Sequence, residues 1–267
     1  MRRTHPLISA VAIGALVFLY LPMVAVAAFS VNASRHGVTW GGFTLKWYTQ
    51  LVTNEEVLSR AGNTLILAVA STAIATVLGT LMALGLDRFP LPRWLRGVAD
   101  TTVELPVVTP DIIFAAAVVV AFYVLGEVLP FFEPSLFTMI LAHVTFQVSF
   151  VALIVRSRLA VMGKQLDEAA RDLYADSMFV FLKVTLPLLT PAIVAGAMLA
   201  FTLSLDDFVI SFFTSGPKSE TLPIYIFGSV RRGVTPEIHA LSTLIVVVTV
   251  LFVVGVERLT KAKAAAG

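Results

Sequence analysis

Two adjacent carboxylates, Asp206 and Asp207, stand inside TPAIVAGAMLAFTLSLDDFVISFF, an apolar segment of membrane-spanning length. A charge near a bilayer centre costs at least about 2.5–3.5 kcal/mol, so an acid there faces a water-filled cavity or a partner group. Spaced acids and hydroxyls suit the passage of a cation, because they attract each positive group without holding it tightly, as acidic rings do in cation channels. Neighbours on one helix point about 100° apart, so the two aspartates cannot share a role. Ser204, Asp207 and Ser211 form one polar stripe at i, i+3, i+7, and Thr202 and Asp206 form another at i, i+4. This pattern favours Asp207 for the passage and puts Asp206 nearer a helix interface. The alternative is an interhelical hydrogen bond, or a pair with a basic residue of another chain. Asp111 follows Pro110 and is a second candidate on the same path. Pro106 and Pro110 disturb their helix and free carbonyls that must face protein or water. The helix dipole alone also accounts for an acid at a helix start.

Other residues point to packing. His143, with Thr145 and Gln147 nearby, fits a buried hydrogen-bonded histidine, and no His/Asp/Glu cluster has metal spacing. Gly196 and Ala200 make a small-xxx-small pair for close helix contact. No nucleophile–base set emerges. The chain has no cysteine, which excludes disulfides and thiolate metal sites. No GxxxxGK[ST] phosphate loop is present, so this polypeptide is not expected to hydrolyse ATP.

The elements that carry these residues follow from composition. The chain is 58% hydrophobic and only 13% charged, with mean hydropathy +0.90. A soluble surface needs about twice that charge, so the chain is an integral membrane protein. Apolar runs of spanning length predict six helices, at 7–29, 63–86, 104–126, 136–155, 190–213 and 238–257. The first run is too long for a signal peptide and is expected to be retained. With a cytoplasmic N-terminus, Arg2, Arg3, Arg88, Arg93, Arg96, Arg156, Arg158, Lys164, Arg171, Lys183, Arg258, Lys261 and Lys263 lie inside. Only Arg35, Lys46, Arg60, Lys218, Arg231 and Arg232 lie outside, so the positive-inside rule puts both termini in the cytoplasm.

Two loops stand out. The outer loop 30–62 contains Trp40, Phe43, Trp47 and Tyr48, which suit a short helix anchored at the membrane face. The inner loop 156–189 predicts two short helices, one from Gln165 to Leu173 and one from Met178 to Val184. Leu166, Ala169, Ala170 and Leu173 follow i, i+3, i+4, i+7 spacing and form an apolar face, which either caps the bundle or docks on a partner. Asp167 and Glu168 fall in the first turn, where they complement the dipole.

The run EAARDLYAD followed by TLPLLTPAI resembles the EAA loop of permease subunits from ABC importers. Glu168, Ala169, Ala170, Leu186 and Pro187 match that pattern; Tyr174 stands where the family usually has glycine, and a bulky residue is expected to strain a tight turn there. The likeness extends to GFTLKWY, VTPDI, FTLSLDDFVISFF, SGP and GVTPEIHAL, so nearly the whole chain resembles spermidine/putrescine (polyamine) permeases of the PotC/PotI type.

The resemblance implies an all-α integral membrane protein of type I ABC importer permease fold, a single domain over 1–267 with six transmembrane helices and a cytoplasmic coupling loop. It implies a bacterial inner-membrane location. The implied partners are a second permease subunit, two ATPase subunits, a periplasmic polyamine-binding protein and membrane lipid; nucleic acid is not among them. No cofactor is expected on this chain, and ATP and Mg belong to the partner ATPase. Arg231, Arg232 and Glu237 are candidates for contact with the binding protein, the alternative being solvated loop charge. Rival functions are the same type of permease with another solute, or a secondary transporter or cation channel. The last two leave the EAA loop unexplained.

Overall fold

The computed structural model describes residues 6–34, 39–163 and 165–266. Arg2, Arg3, Arg35 and Lys164, used above for orientation, fall outside these residues, as do the side chains of Lys261 and Lys263. Regular structure among the described residues is helical, apart from one isolated bridge between Asn32 and Phe43. Five helices are long and apolar enough to cross a membrane alone, and a bent pair makes a sixth crossing if counted as one. The chain divides into two compact units, residues 1–59 with 225–267, and residues 60–224.

The first unit holds α1 (Pro6–Phe29), α2 (Lys46–Leu51) and α12 (Pro236–Ala266), and shares α11 (Leu222–Arg232) with the second. No part of the spanning window of α1 is buried, as suits a helix turned to lipid. The short helix in the 30–62 loop forms as expected, but its aromatics divide. Trp40 and Phe43 are exposed, which suits an interfacial anchor. Trp47 is buried, and its indole N–H donates to the Asn32 carbonyl at 2.8 Å. Tyr48 meets Ser30 Oγ at 2.7 Å. The Asn32 side chain is itself fully buried and holds the loop, accepting from Gly41 N at 2.8 Å and donating to the Thr39 carbonyl at 2.9 Å. Trp47 therefore fastens the loop after α1, in contrast to the anchor expected from its type.

The second unit contains most of α3 (Glu55–Arg88), then α4 (Arg93–Val108), α5 (Asp111–Gly126), α6 (Leu136–Met162), α7 (Gln165–Asp172), α8 (Ser177–Phe179), α9 (Leu186–Asp206) and α10 (Val209–Thr214). Helix α6 is the centre, with 56% of its spanning window buried. Ala83 and Leu86 of α3, Val103 of α4, Val151, Val155 and Leu159 of α6, and Leu189 and Ala200 of α9 form one apolar core. Gly79 lets α3 approach α6, since a Cβ there would sit 2.7 Å from Val151 Cβ and 2.9 Å from the Val148 carbonyl. The expected small pair also packs here. Gly196 lies against Val151, and the Ala200 carbonyl accepts from Gln147 Nε2 at 3.0 Å.

Two of the predicted spans are broken, the third where Pro106 and Pro110 mark a disturbance in the sequence and the fifth without such a mark. The third, predicted over 104–126, is α4 and α5 meeting at a 118° bend. Pro110 cannot continue the hydrogen-bond ladder and drives Thr109 into extended backbone, φ −80° and ψ 132°. The fifth, predicted over 190–213, starts at Leu186 and breaks at Asp207, where φ −63° and ψ 125° leave the helix. Between α8 and α9 the chain makes a π-helical turn, Val180–Thr185.

Candidate functional site

The break in the fifth span is built by Asp207. Its carboxylate accepts from the backbone N–H of Ser211 at 2.7 Å and of Ile210 at 3.3 Å, so it caps the N-terminus of α10. The same Oδ2 lies 3.3 Å from Nε2 of His143 on α6. An ionised carboxylate only accepts, so Nε2 carries the proton between them, and Nδ1 lies 2.8 Å from the Ser204 hydroxyl. Ser211 Oγ lies 3.1 Å from Nε2, and Ser71 Oγ on α3 lies 3.3 Å from Ser204 Oγ. Each of these groups except Asp207 is almost fully buried. The sequence stripe Ser204, Asp207, Ser211 therefore does converge in space, around a histidine that the sequence placed only as a satisfied core residue.

This geometry sets the two acids apart. Asp207 is turned inward as cap and clamp, because α10 and His143 use both of its oxygens. Asp206, the last residue of α9, is exposed and lies outside that network. The carbonyls of the last α9 turn lose their helical partners where the chain breaks, so the negative end of the helix dipole adds to the Asp206 charge. Asp111 is exposed in the first turn of α5, immediately after the Pro110 bend. Both exposed acids thus stand at helix breaks, and neither shares a hydrogen bond with the buried network.

In the 156–189 loop α7 forms as predicted, whereas the second predicted helix, Met178–Val184, is no separate element: α8, the π-turn and α9 run on as one helix from Ser177 to Asp206. The predicted apolar face of α7 turns away from its own chain. Leu166 and Ala169 are exposed, Ala170 is half-buried, and Leu173 just beyond the helix is exposed. Glu168 is exposed as well. Tyr174 adopts φ +62°, the left-handed conformation that favours glycine, and its side chain is 98% exposed. Tyr174 N donates to the Arg171 carbonyl at 2.9 Å and Ala175 N to the Ala170 carbonyl at 3.1 Å. That pair of bonds is a Schellman cap with tyrosine in the glycine position. The expected strain is present in the backbone, but the turn closes because the ring points into open space. Leu186 and Pro187 open α9 directly after the π-turn.

Arg231 and Arg232 are exposed at the C-terminal end of α11. Arg231 lies over the Phe227 ring, 5.4 Å from its centroid, and Arg232 donates to Ser229 Oγ at 3.2 Å. Glu237 is half-buried in the first turn of α12.

A family model described as "Binding-protein-dependent transport system inner membrane component" matches residues 75–263. The chain belongs to this family. It is 41% identical over 229 residues to the putrescine transport system permease protein PotI of Escherichia coli (strain K12), covering 85% of this chain and 81% of that protein. It is 38% identical over 248 residues to the spermidine/putrescine transport system permease protein PotC of the same organism, covering 92% and 90%. Among solved structures, a bacterial ABC transporter involved in the import of the acidic polysaccharide alginate matches with TM-score 0.77 at 18% identity, covering 96% of this chain and 94% of that one. The MetNI methionine ABC transporter, in inward-facing conformations, matches with TM-score 0.62 at 17% identity, covering 82% and 99%. At those identities the structures establish the fold of an importer permease. The chain is accordingly a multi-pass membrane permease of the bacterial inner-membrane family.

Proposed function

We propose that this chain is one of two permease subunits of an ATP-driven importer that carries polyamines across the bacterial inner membrane. The observation that carries the proposal is the exposed Asp206 at the broken fifth span, in a chain more than a third identical to putrescine and spermidine/putrescine permeases over most of its length. An exposed carboxylate at that depth does not face hydrocarbon, so it faces a water path or a second subunit. The same fold occurs in a transporter involved in import of an acidic polysaccharide, so the scaffold does not choose the cargo. Exposed acids favour a cation with several ammonium groups.

In this mechanism both termini are cytoplasmic, and ATP with Mg is held and hydrolysed by two partner ATPase subunits. The exposed face of α7, with Glu168, Leu173 and Tyr174, docks on an ATPase through helix-in-groove contacts. ATP-driven closure of that partner moves α7, and the spans open toward a periplasmic binding protein that Arg231, Arg232 and Glu237 help to seat. The cargo then passes Asp206, where carboxylate and unpaired carbonyls take one ammonium at a time, and Asp111, which offers the next acceptor. Asp207, Ser204 and Ser211 keep the break in shape from behind.

The test is uptake of labelled putrescine and spermidine by cells lacking other polyamine importers and expressing the complete subunit set. ATP-dependent uptake is expected in the wild type and is expected to be lost in Asp206→Asn and in Glu168→Ala at equal membrane levels. No polyamine uptake by a complex that assembles and hydrolyses ATP refutes the cargo. Uptake that survives ATP depletion refutes the energy source.

A further inference from the structure

Helix α7 has little apolar grip on its own chain. Asp167 is its buried residue, while Leu166, Glu168 and Ala169 beside it are exposed. An open pocket of about 330 Å³ adjoins it, lined among others by Leu84, Arg88, Asp167, Glu168, Phe181 and Thr185. Apolar packing there is thin and passes little of a push on α7.

Polar contacts of one carboxylate bridge the gap. Asp167 Oδ2 pairs with Nη1 of Arg88, the last residue of α3. Asp167 Oδ1 accepts from the Thr185 hydroxyl at 3.1 Å. Thr185 ends the π-turn from which α9 begins, and π-turns recur at functional sites because they loosen the regular ladder. Arg88 is steadied in turn by Asp87 at 3.3 Å. Each Asp167 oxygen thus holds a different membrane-spanning element.

We infer that Asp167 is a positioning residue for energy coupling, a clasp that ties α7 to the end of α3 and to the entry of α9. A displacement of α7 then moves both elements together, and α9 carries it to the broken end at Asp206. The inference rests on the proposed role of α7 as the docking helix.

The test uses the assembled complex. Because the chain has no cysteine, Asp172→Cys and Ser215→Cys place spin labels on it at the last residue of α7 and just beyond α10. Trapping with ATP and vanadate is expected to change the label distance when Asp167 is intact. Asp167→Asn is expected to reduce that change to less than half, and Thr185→Val, which removes one arm of the clasp, by a smaller amount. In proteoliposomes, Asp167→Asn is expected to lower cargo moved per ATP hydrolysed by roughly tenfold while hydrolysis itself persists. A wild-type label shift in both variants overturns the inference, and so does an unchanged transport-to-hydrolysis ratio. The label readout needs no cargo, so an error in the polyamine assignment shows separately, as absent uptake with an intact wild-type shift. A wild-type complex in which ATP moves no label overturns the docking role and the clasp together.

Discussion

The two aspartates of the fifth span should separate cleanly under mutation. Asp207 caps two α10 N–H groups and pairs with buried His143. Asparagine at 207 keeps an acceptor oxygen for the cap but loses the charge-assisted bond to the histidine. Alanine loses both. An N-cap is worth about 0.5–2 kcal/mol, and an interhelical side-chain hydrogen bond in a membrane protein about 0.6–1.7 kcal/mol. Asp207→Asn should therefore cost about 1 kcal/mol and Asp207→Ala about 2–3 kcal/mol, with His143→Ala close to the former. At about 2–4 °C per kcal/mol for a chain of this size, Asp207→Ala should lower the thermal midpoint by roughly 4–12 °C. Asp206 is exposed and outside the network, so Asp206→Asn should leave the midpoint within about 1–2 °C while uptake is lost. The assay pairs thermal unfolding of the purified complex in detergent with uptake at matched membrane levels. His143→Ala and Asp207→Ala should be non-additive, since they remove one shared contact. Equal midpoint losses at 206 and 207, or full uptake by Asp206→Asn, would refute the division of roles.

Three further substitutions test other parts of the structure. Tyr174→Gly relieves a left-handed non-glycine residue and removes no packing within the chain, so the α7 cap should gain about 1 kcal/mol, read as slower hydrogen exchange at the Tyr174-equivalent and Ala175 amides. Trp47→Phe leaves the buried Asn32 carbonyl without its indole donor and should cost about 1–3 kcal/mol, measured by thermal unfolding. Gly79→Leu drives a side chain into Val151 and the Val148 carbonyl and should cost about 1–3 kcal/mol or more, seen as reduced membrane level and a lower midpoint.

Helix identity was legible in the sequence because the bilayer imposes it: long apolar runs have one way to satisfy their backbone. The short α7 was legible from amphipathic spacing, and α2 from the interfacial aromatics of its loop. The breaks were less so, for two different reasons. Pro110 is a local signal, and the sequence marked it as a disturbance without giving the 118° turn. The break at Asp207 has no local breaker at all. It depends on His143, far away along the chain, which rewards the side chain for leaving the helix face that periodicity assigned to it. Asp167 shows the same limit. First-turn position explained it by the dipole alone, while its partners Arg88 and Thr185 come from other elements.

These long-range contacts share a physical logic. A buried polar side chain in or beside the membrane is stabilised by a polar partner, and where that partner lies on another helix the pair records a junction. His143 with Asp207 joins α6 to the α9–α10 break, and Asp167 with Arg88 and Thr185 joins α7 to α3 and α9. Helix α9 runs from one junction to the other as a stretch of 21 residues, about 32 Å long. Its buried side packs on α6 through Leu189, Gly196 and Ala200, and Gln147 of α6 holds the Ala200 carbonyl at 3.0 Å. A continuous hydrogen-bonded helix packed along its length moves as one body more readily than it bends. Displacement at Thr185 should then arrive at Asp206 with little loss, which places the exposed acid at the moving end of the lever.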